Sequence, residues 1–148
     1  MKFEELSKNF EYNKKVLSGL DLKSVENLAI KINQVRNNDN FIFVAGNGGS
    51  SSTASHFVND LVKATRVDNI NPPIKAISLT DNIPLISAIS NDIDYSEIFK
   101  FSLESLASKG DMLIVISASG NSKNLVKAVE YCNQKDIFTA GLLGFDGG

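Results

Sequence analysis

The sequence is poor in several residue types and patterns, and each scarcity argues against a class of protein. Its one cysteine, Cys132, has no disulfide partner within the chain, so nothing indicates an oxidising compartment. The net charge is -2, and no long stripe of Lys and Arg predicts a general attraction to nucleic acid or to an anionic membrane. No apolar run approaches the roughly 18 residues of a membrane span. A small anionic ligand would therefore have to be bound by local groups.

What is present suffices for one globular core. The 148 residues, 43% of them hydrophobic, predict a single domain. The first fifteen residues lack the continuous apolar stretch of a signal peptide, so we expect a cytoplasmic protein. We divide the chain into amino-terminal helices over residues 1–40 and a ligand-binding part of the same domain over residues 41–148.

Apolar spacing predicts alternating helices and strands. Two amphipathic helices are expected before residue 40, broken near Gly19, and the irregular apolar face of the first suggests packing against another subunit. Short apolar, β-branched runs predict four strands: Phe41–Ala45, Ile74–Leu79, Met112–Ile116 and Ile137–Leu143. Helical patterns lie between them: Ser50–Lys63, Tyr95–Ala107 and Ser122–Gln134. This alternation predicts an α/β fold with a doubly wound parallel sheet, whose ligands bind beyond the carboxyl ends of the strands.

The first candidate binding loop directly follows the first predicted strand. It comprises Asn47, Gly48, Gly49 and Ser50, after Gly46. Glycines let backbone N–H groups approach an anion, and the start of the next helix adds favourable partial charge. The loop lacks the third glycine of a dinucleotide fingerprint and the Gly-Lys of a Walker loop, so no nucleotide cofactor is expected. The alternative is a tight turn that needs glycine for purely structural reasons.

The second candidate loop follows the third predicted strand and also opens a helix. It comprises Ser117, Ala118, Ser119, Gly120, Asn121 and Ser122. Three hydroxyls and the helix-end amides can bind a phosphate dianion without a nearby Lys or Arg. Alternatively, Ser122 or Asn121 caps the helix while the other serines fill a turn. Two such loops together favour phosphate binding.

Two polar pairs supply candidates for the rest of a site. His56, the only histidine, and Asp60 share one face of a predicted helix at i,i+4 spacing. A carboxylate that removes a carbon-bound proton, beside an imidazole, suits an enediol-type aldose-ketose isomerisation, although such pairs are also common on helix surfaces. Asn91 and Asp92 follow the apolar stretch Ile83–Ile89, where they could bind sugar hydroxyls or simply form a turn.

These motifs occur together in an order that resembles a known family. The matching segments are Ala45–Ser50, His56–Phe57, Ile89–Asp92, Gly110–Asp111, Ile116–Ser122 and Gly144–Gly148. They resemble the SIS-domain family of sedoheptulose 7-phosphate isomerases. The resemblance implies conversion of sedoheptulose 7-phosphate to a manno-heptose 7-phosphate, for the heptose of lipopolysaccharide or capsule, by a homotetramer with active sites between subunits.

The resemblance also implies roles for individual residues. Substrate contacts would come from the first loop and from Asn91 and Asp92, and the phosphate would be held by the serines of the second loop. Asp60 would be the catalytic base, and His56 with Asp60 would bind zinc in some members. The family further implies a strand and a long helix beyond Gly148, carrying a glutamine and a catalytic histidine.

The sequence departs from the family pattern near the predicted base. Asp60 stands where the family usually has glutamate, which is one methylene longer, and Ala64 stands where an arginine is expected. These differences keep open a second hypothesis, a non-catalytic SIS module that binds a phosphosugar or a protein partner such as a replication initiator. A nucleotide-dependent dehydrogenase is disfavoured by the missing fingerprint glycine.

Overall fold

The computed structural model describes residues 3–66 and 71–148 and divides the chain into two compact units. The first unit, residues 1–31, contains helix α1 (Phe3–Ser18) and the beginning of helix α2 (Leu22–Asn37). The second unit, residues 32–148, contains the end of α2 and all the strands. The two helices separate at Gly19, as the sequence predicts.

A parallel sheet of four strands forms the centre of the second unit. The strands are β1 (Phe41–Gly46), β2 (Lys75–Ser78), β3 (Met112–Ser117) and β4 (Phe138–Leu143). Their spatial order is β2-β1-β3-β4, and every neighbouring pair is parallel. The predicted α/β fold with a parallel sheet is therefore confirmed, and each predicted strand lies within two residues of its observed bounds.

Alternating side chains of the central strands are buried on both faces of the sheet. Phe43 and Ala45 join a large apolar cluster that also contains Phe99 and Leu125. The side chains between them, such as Val44, point to the opposite face and are also fully buried. Burial on both sides explains the unbroken apolar runs from which the strands were predicted.

Four helices connect and cover the strands of the second unit. They are α3 (Gly49–Asn59), α4 (Ile83–Asp92), α5 (Ile98–Leu106) and α6 (Lys123–Gln134). A π-helical segment, Asp60–Ala64, continues α3, and a 3₁₀ turn, Tyr95–Glu97, precedes α5. The three predicted helical stretches are thus confirmed, although two of them change helix type along their length.

In the described part of the chain, no helix is both long enough and apolar enough to cross a membrane.

Helix α4 corrects the interpretation of Ile83–Ile89 as an apolar stretch leading into a turn. The Asn82 side chain accepts a hydrogen bond of 3.2 Å from the Leu85 amide and so caps the helix. Pro84 lies in the first turn, where a missing N–H costs no helical hydrogen bond. The stretch is short and rich in isoleucine, which conceals its helical character from a periodicity analysis.

A buried carboxylate holds the edge of the sheet opposite the predicted binding loops. Asp111 is 3% exposed and accepts hydrogen bonds from the amides of Phe41 (2.8 Å) and Ser108 (2.7 Å) and from the Asn40 side chain (3.2 Å). These bonds tie the start of β1 to the start of β3.

The pKa of buried Cys132 is raised to about 12, mainly by burial and secondarily by the charge of Asp111, so the thiol is an inert part of the core.

Candidate functional site

The strand order brings the two predicted binding loops to one place. The chain leaves β1 towards β2 on one side and later returns to β3 on the other, so the crossovers diverge between β1 and β3. In open parallel sheets, ligands bind at such a point beyond the carboxyl ends of the strands. A cavity of about 200 Å³ lies there, and its lining residues are Asn47, Ser50, Ile116, Ser117, Ala118, Ser119, Ser122 and Phe145. Residues of both loops therefore line the same cavity.

The first loop depends on a glycine that lets the helix approach the strand. A Cβ atom added to Gly46 would lie 2.6 Å from the Ser50 carbonyl oxygen, so only glycine fits against the first turn of α3. Gly48 has φ +54°, a conformation that favours glycine, and nothing lies within 4 Å of its would-be Cβ. The amides of Ser50 and Ser51 bond back to the carbonyls of Asn47 and Gly48, at 2.9 and 3.0 Å. At Gly46, therefore, glycine is needed for a structural reason, the close approach of the strand and the helix.

The serines of the second loop are arranged so that hydroxyl hydrogens remain for a ligand. The Ser117 hydroxyl accepts a hydrogen bond of 3.1 Å from the Gly120 amide, and the Ser119 hydroxyl accepts one of 3.2 Å from the Asn121 amide. A hydroxyl that accepts in this way can still donate its hydrogen. Ser122 occupies the cap position of α6 but makes no side-chain cap bond, in contrast to the capping alternative. Three hydroxyl donors thus line the cavity.

The cavity has the partial charges that an anion needs, and the described residues that line it include no Lys or Arg. Helices α3 and α6 both begin at this edge of the sheet, with N-terminal residues next to the two loops. Their first amides have no partners within the helix, and the aligned peptide dipoles favour a negative ligand there. A phosphate site built from neutral donors stays a prediction, which these partial charges favour.

A third loop, residues 144–148, borders the cavity on the β4 side. The Gly144 amide donates a hydrogen bond of 3.0 Å to the Ser117 carbonyl. A Cβ atom on Gly120, whose φ is +70°, would lie 2.5 Å from the Gly147 carbonyl oxygen, so the two loops pack backbone to backbone. Phe145, with φ +47° and 88% exposure, lines the cavity from this loop. The glycines of the third loop are visible in the sequence, but the place of this loop beside the cavity is not.

Side-chain hydrogen bonds fasten the first loop to α6. Asn47 and Asn124 exchange two bonds of 2.9 Å between their amides, and the Tyr95 hydroxyl donates a bond of 2.8 Å to Asn47 Oδ1. Asn124 is 2% exposed. Neither Asn124 nor Tyr95 was predicted as a site residue, because the partners lie 77 and 48 residues away from Asn47 in the sequence.

The predicted catalytic pair lies on one helical face but outside the cavity lining. His56 Nε2 and Asp60 Oδ2 are 3.4 Å apart, and their side chains are 75% and 52% exposed. Asp60 begins the π-helical segment, and such segments recur at functional sites. Within residues 3–66 and 71–148, no cluster of three potential metal ligands exists, whereas zinc takes three or four protein ligands. The described residues alone therefore do not fit a zinc ion.

Asn91 and Asp92 also lie apart from the cavity lining. They are the last two residues of α4, both are exposed, and the Asn91 amide donates a hydrogen bond of 2.7 Å to Asp92 Oδ1. They end a helix, whereas a turn leading into the next helix was expected. Their predicted contacts with substrate remain predictions.

Comparison with known proteins agrees with this geometry. The family model described as SIS domain matches residues 10–144. The chain is 39% identical to a phosphoheptose isomerase from Aneurinibacillus thermoaerophilus over 127 residues, which are 86% of this chain and 63% of the relative. A second relative, phosphoheptose isomerase 2 from Campylobacter jejuni, is 39% identical over 84% of this chain and 61% of its own length. The chain thus spans less than two thirds of these relatives.

Solved structures give the same result. A phosphoheptose isomerase from Francisella tularensis superimposes with a TM-score of 0.89 at 28% identity, over 100% of this chain and 78% of that one. A phosphoheptose isomerase from Neisseria gonorrhoeae gives a TM-score of 0.85 at 29% identity, over 98% of this chain and 74% of that one. Fold and sequence similarity therefore lead to one family.

Proposed function

Because this chain belongs to the SIS-domain family, we propose that it is the phosphosugar-binding part of an aldose-ketose isomerase. The proposed reaction converts sedoheptulose 7-phosphate to a manno-heptose 7-phosphate, a precursor of the heptose in lipopolysaccharide or capsule. The observation that carries the proposal is the cavity of about 200 Å³ at the β1–β3 divergence, which is lined by Ser50 of the first loop and by three serines of the second loop. The names of the relatives add support for the substrate.

The phosphate is assigned to the second loop. Ser117, Ser119 and Ser122 donate hydroxyl hydrogens, and the α6 N-terminus contributes favourable partial charge. Asn47 and Ser50 of the first loop line the same cavity and contact the adjoining part of the sugar. Asn91 and Asp92 keep their proposed part in binding the more distant hydroxyls.

The chemical step is assigned to Asp60. Its carboxylate removes the proton from the hydroxymethyl carbon beside the ketose carbonyl, which leaves an enediol, and the proton returned to the former carbonyl carbon gives the aldose. The proton that moves between the oxygens would be carried by the further histidine that the family resemblance implies. His56 lies 3.4 Å from Asp60 and orients the carboxylate.

If zinc binds, His56 and Asp60 would be two of its ligands. They supply two ligands, and the described residues offer no cluster that completes a site. When bound, zinc would supply charge stabilisation at the sugar oxygens.

A homo-oligomer, tetrameric in the family, is part of the same proposal. In α1, Phe3, Phe10 and Leu17 follow one another at seven-residue spacing and are 83%, 67% and 66% exposed. A stripe of this kind is typical of helices that pack against a partner.

The proposed compartment is the cytoplasm.

The activity is tested by incubating the full-length protein with sedoheptulose 7-phosphate. We expect an aldose phosphate product, detected by chromatography or NMR. Binding of the sugar phosphate without any product would instead support the non-catalytic SIS module. If neither binding nor turnover occurs, sedoheptulose 7-phosphate is not a ligand of this protein and the proposed function is wrong.

Replacing Ser119 with alanine should weaken phosphosugar binding by at least about tenfold, because one hydrogen bond to a charged acceptor is worth roughly 1.5 to 3 kcal/mol. Isothermal titration with sedoheptulose 7-phosphate measures the change. Ser105→Ala, the same substitution on the exposed surface of α5, is the matched control and should bind as the wild type does. Equal affinity of Ser119→Ala and the control would remove Ser119 from the phosphate site.

A further inference from the structure

We infer that Asn124 and Tyr95 are positioning residues that leave Asn47 with one free N–H, so that Asn47 recognises an acceptor oxygen of the ligand and not a hydroxyl hydrogen. The inference rests on the proposed phosphosugar site, because Asn47 lines that cavity. It goes further by assigning the direction of the hydrogen bond and the residues that set it.

The orientation of the Asn124 amide follows from a backbone donor. The Leu125 N–H can only donate, and it lies 3.0 Å from Asn124 Oδ1 while also bonding to the Ser122 carbonyl at 2.9 Å. The atom facing Leu125 must therefore be the Asn124 oxygen. The Asn124 nitrogen then faces Asn47, and its partner atom there must be an acceptor.

The orientation of the Asn47 amide follows in turn. Asn47 Oδ1 accepts from Asn124 Nδ2, and Asn47 Nδ2 donates to Asn124 Oδ1, both at 2.9 Å. The Tyr95 hydroxyl, 2.8 Å away, donates to the second lone pair of Asn47 Oδ1. An asparagine amide has two acceptor sites and two donor hydrogens. Both acceptor sites are occupied, and one N–H remains for a molecule in the cavity.

The two positioning residues are themselves held in place. Asn124 is buried in α6, and one turn later Lys127 Nζ donates to Ser96 Oγ at 2.7 Å and pairs with Glu97 in the 3₁₀ turn. The hydrogen bond from Lys127 lowers the pKa of Glu97, and the same bond raises the pKa of Lys127, so the pair stays charged at neutral pH. Helix α6 thus carries Asn124 and anchors the turn that presents Tyr95.

The anchoring gives Asn47 a fixed part in recognition. An amide that could rotate would offer either a donor or an acceptor, whereas this one offers a donor only. A phosphate or carbonyl oxygen satisfies that donor. The network also ties the first loop to the helix that begins at the second loop, so the two halves of the cavity keep their spacing.

A double-mutant cycle tests the inference. We expect Asn47→Ala and Asn124→Leu each to raise the dissociation constant for sedoheptulose 7-phosphate by about tenfold, and Tyr95→Phe by less, since it removes only one of the three bonds. In the Asn47→Ala background, neither Asn124→Leu nor Tyr95→Phe should weaken binding further, because both act through Asn47. Effects that multiply in the double variants would overturn the inference. Tyr95 is 53% exposed, so its variant should fold even if that of Asn124 does not.

A second measurement needs no ligand. In the ¹⁵N-labelled protein, Tyr95→Phe should shift the side-chain amide resonances of Asn47, and Asn47→Ala should shift those of Asn124. Unchanged resonances would overturn the positioning network. If the wild type fails to bind sedoheptulose 7-phosphate while these shifts occur, the proposed substrate is wrong and the network stands.

Discussion

Asp60→Asn should lower turnover of sedoheptulose 7-phosphate by about 10² to 10⁴-fold, the usual contribution of a general base, while the affinity for the sugar phosphate changes little. Asparagine keeps the size of the side chain but cannot accept the carbon-bound proton. Because Asp60 is half exposed and lies outside the cavity lining, its loss should not disturb the phosphate site. Steady-state kinetics and a separate binding titration distinguish the two effects.

Asp39→Asn is the matched control for this change. Asp39 is an exposed carboxylate just before β1, at the amino edge of the sheet, and its φ of +60° suits asparagine equally well. We expect the control to keep wild-type turnover. Asp60→Glu, which restores the side-chain length usual in the family, should retain activity. Wild-type turnover in Asp60→Asn would refute the role of this carboxylate.

Gly46→Ala should lower the free energy of unfolding by about 1–3 kcal/mol, the usual cost of forcing extra volume into a packed site. The new methyl group would lie 2.6 Å from the Ser50 carbonyl oxygen and 2.8 Å from its carbonyl carbon, and these backbone atoms cannot move aside as a flexible side chain could. The first turn of α3 would have to move away from β1, and Ser50, which lines the cavity, would move with it. Chemical denaturation measures the loss of stability.

Gly49→Ala provides the matched control for stability. Gly49 begins α3, and nothing lies within 4 Å of the Cβ that alanine would add. Alanine there reduces the freedom of the unfolded chain and should leave stability unchanged or raise it by up to about 1 kcal/mol. If the two variants were equally stable, the close approach at Gly46 would not constrain the loop.

The comparison of predicted and observed elements follows a physical pattern. Strands β1 and β3 were located within two residues because burial on both faces leaves an unbroken apolar run in the sequence, whereas the more exposed edge strands β2 and β4 were located from their apolar and β-branched residues. Helix α4 was missed because its apolar stretch is short, and the π-helical turn at Asp60 was missed because it has no local pattern. Features that arise from neighbouring residues were therefore the predictable ones.

The two candidate binding loops could be identified from the sequence because their chemistry is local. A glycine-rich or serine-rich segment between an apolar strand and a helix keeps its donors whatever the rest of the chain does. The family motifs are equally local, and they led to the same fold as the comparisons with known proteins. The prediction that these loops bind phosphate therefore needs no tertiary contact.

Only the folded chain places those loops side by side. Local patterns do not encode which parallel strands are neighbours, and the pairing of β1 with β3 brings Asn47 to Asn124 across 77 residues. The same pairing buries Asn124 and saturates the Asn47 oxygen, and the pairing of β3 with β4 brings Phe145 to the cavity. Such contacts depend on long-range packing, in which the whole sheet and its helices are stabilised together. The donors of the site come from the sequence, and their geometry comes from the strand order.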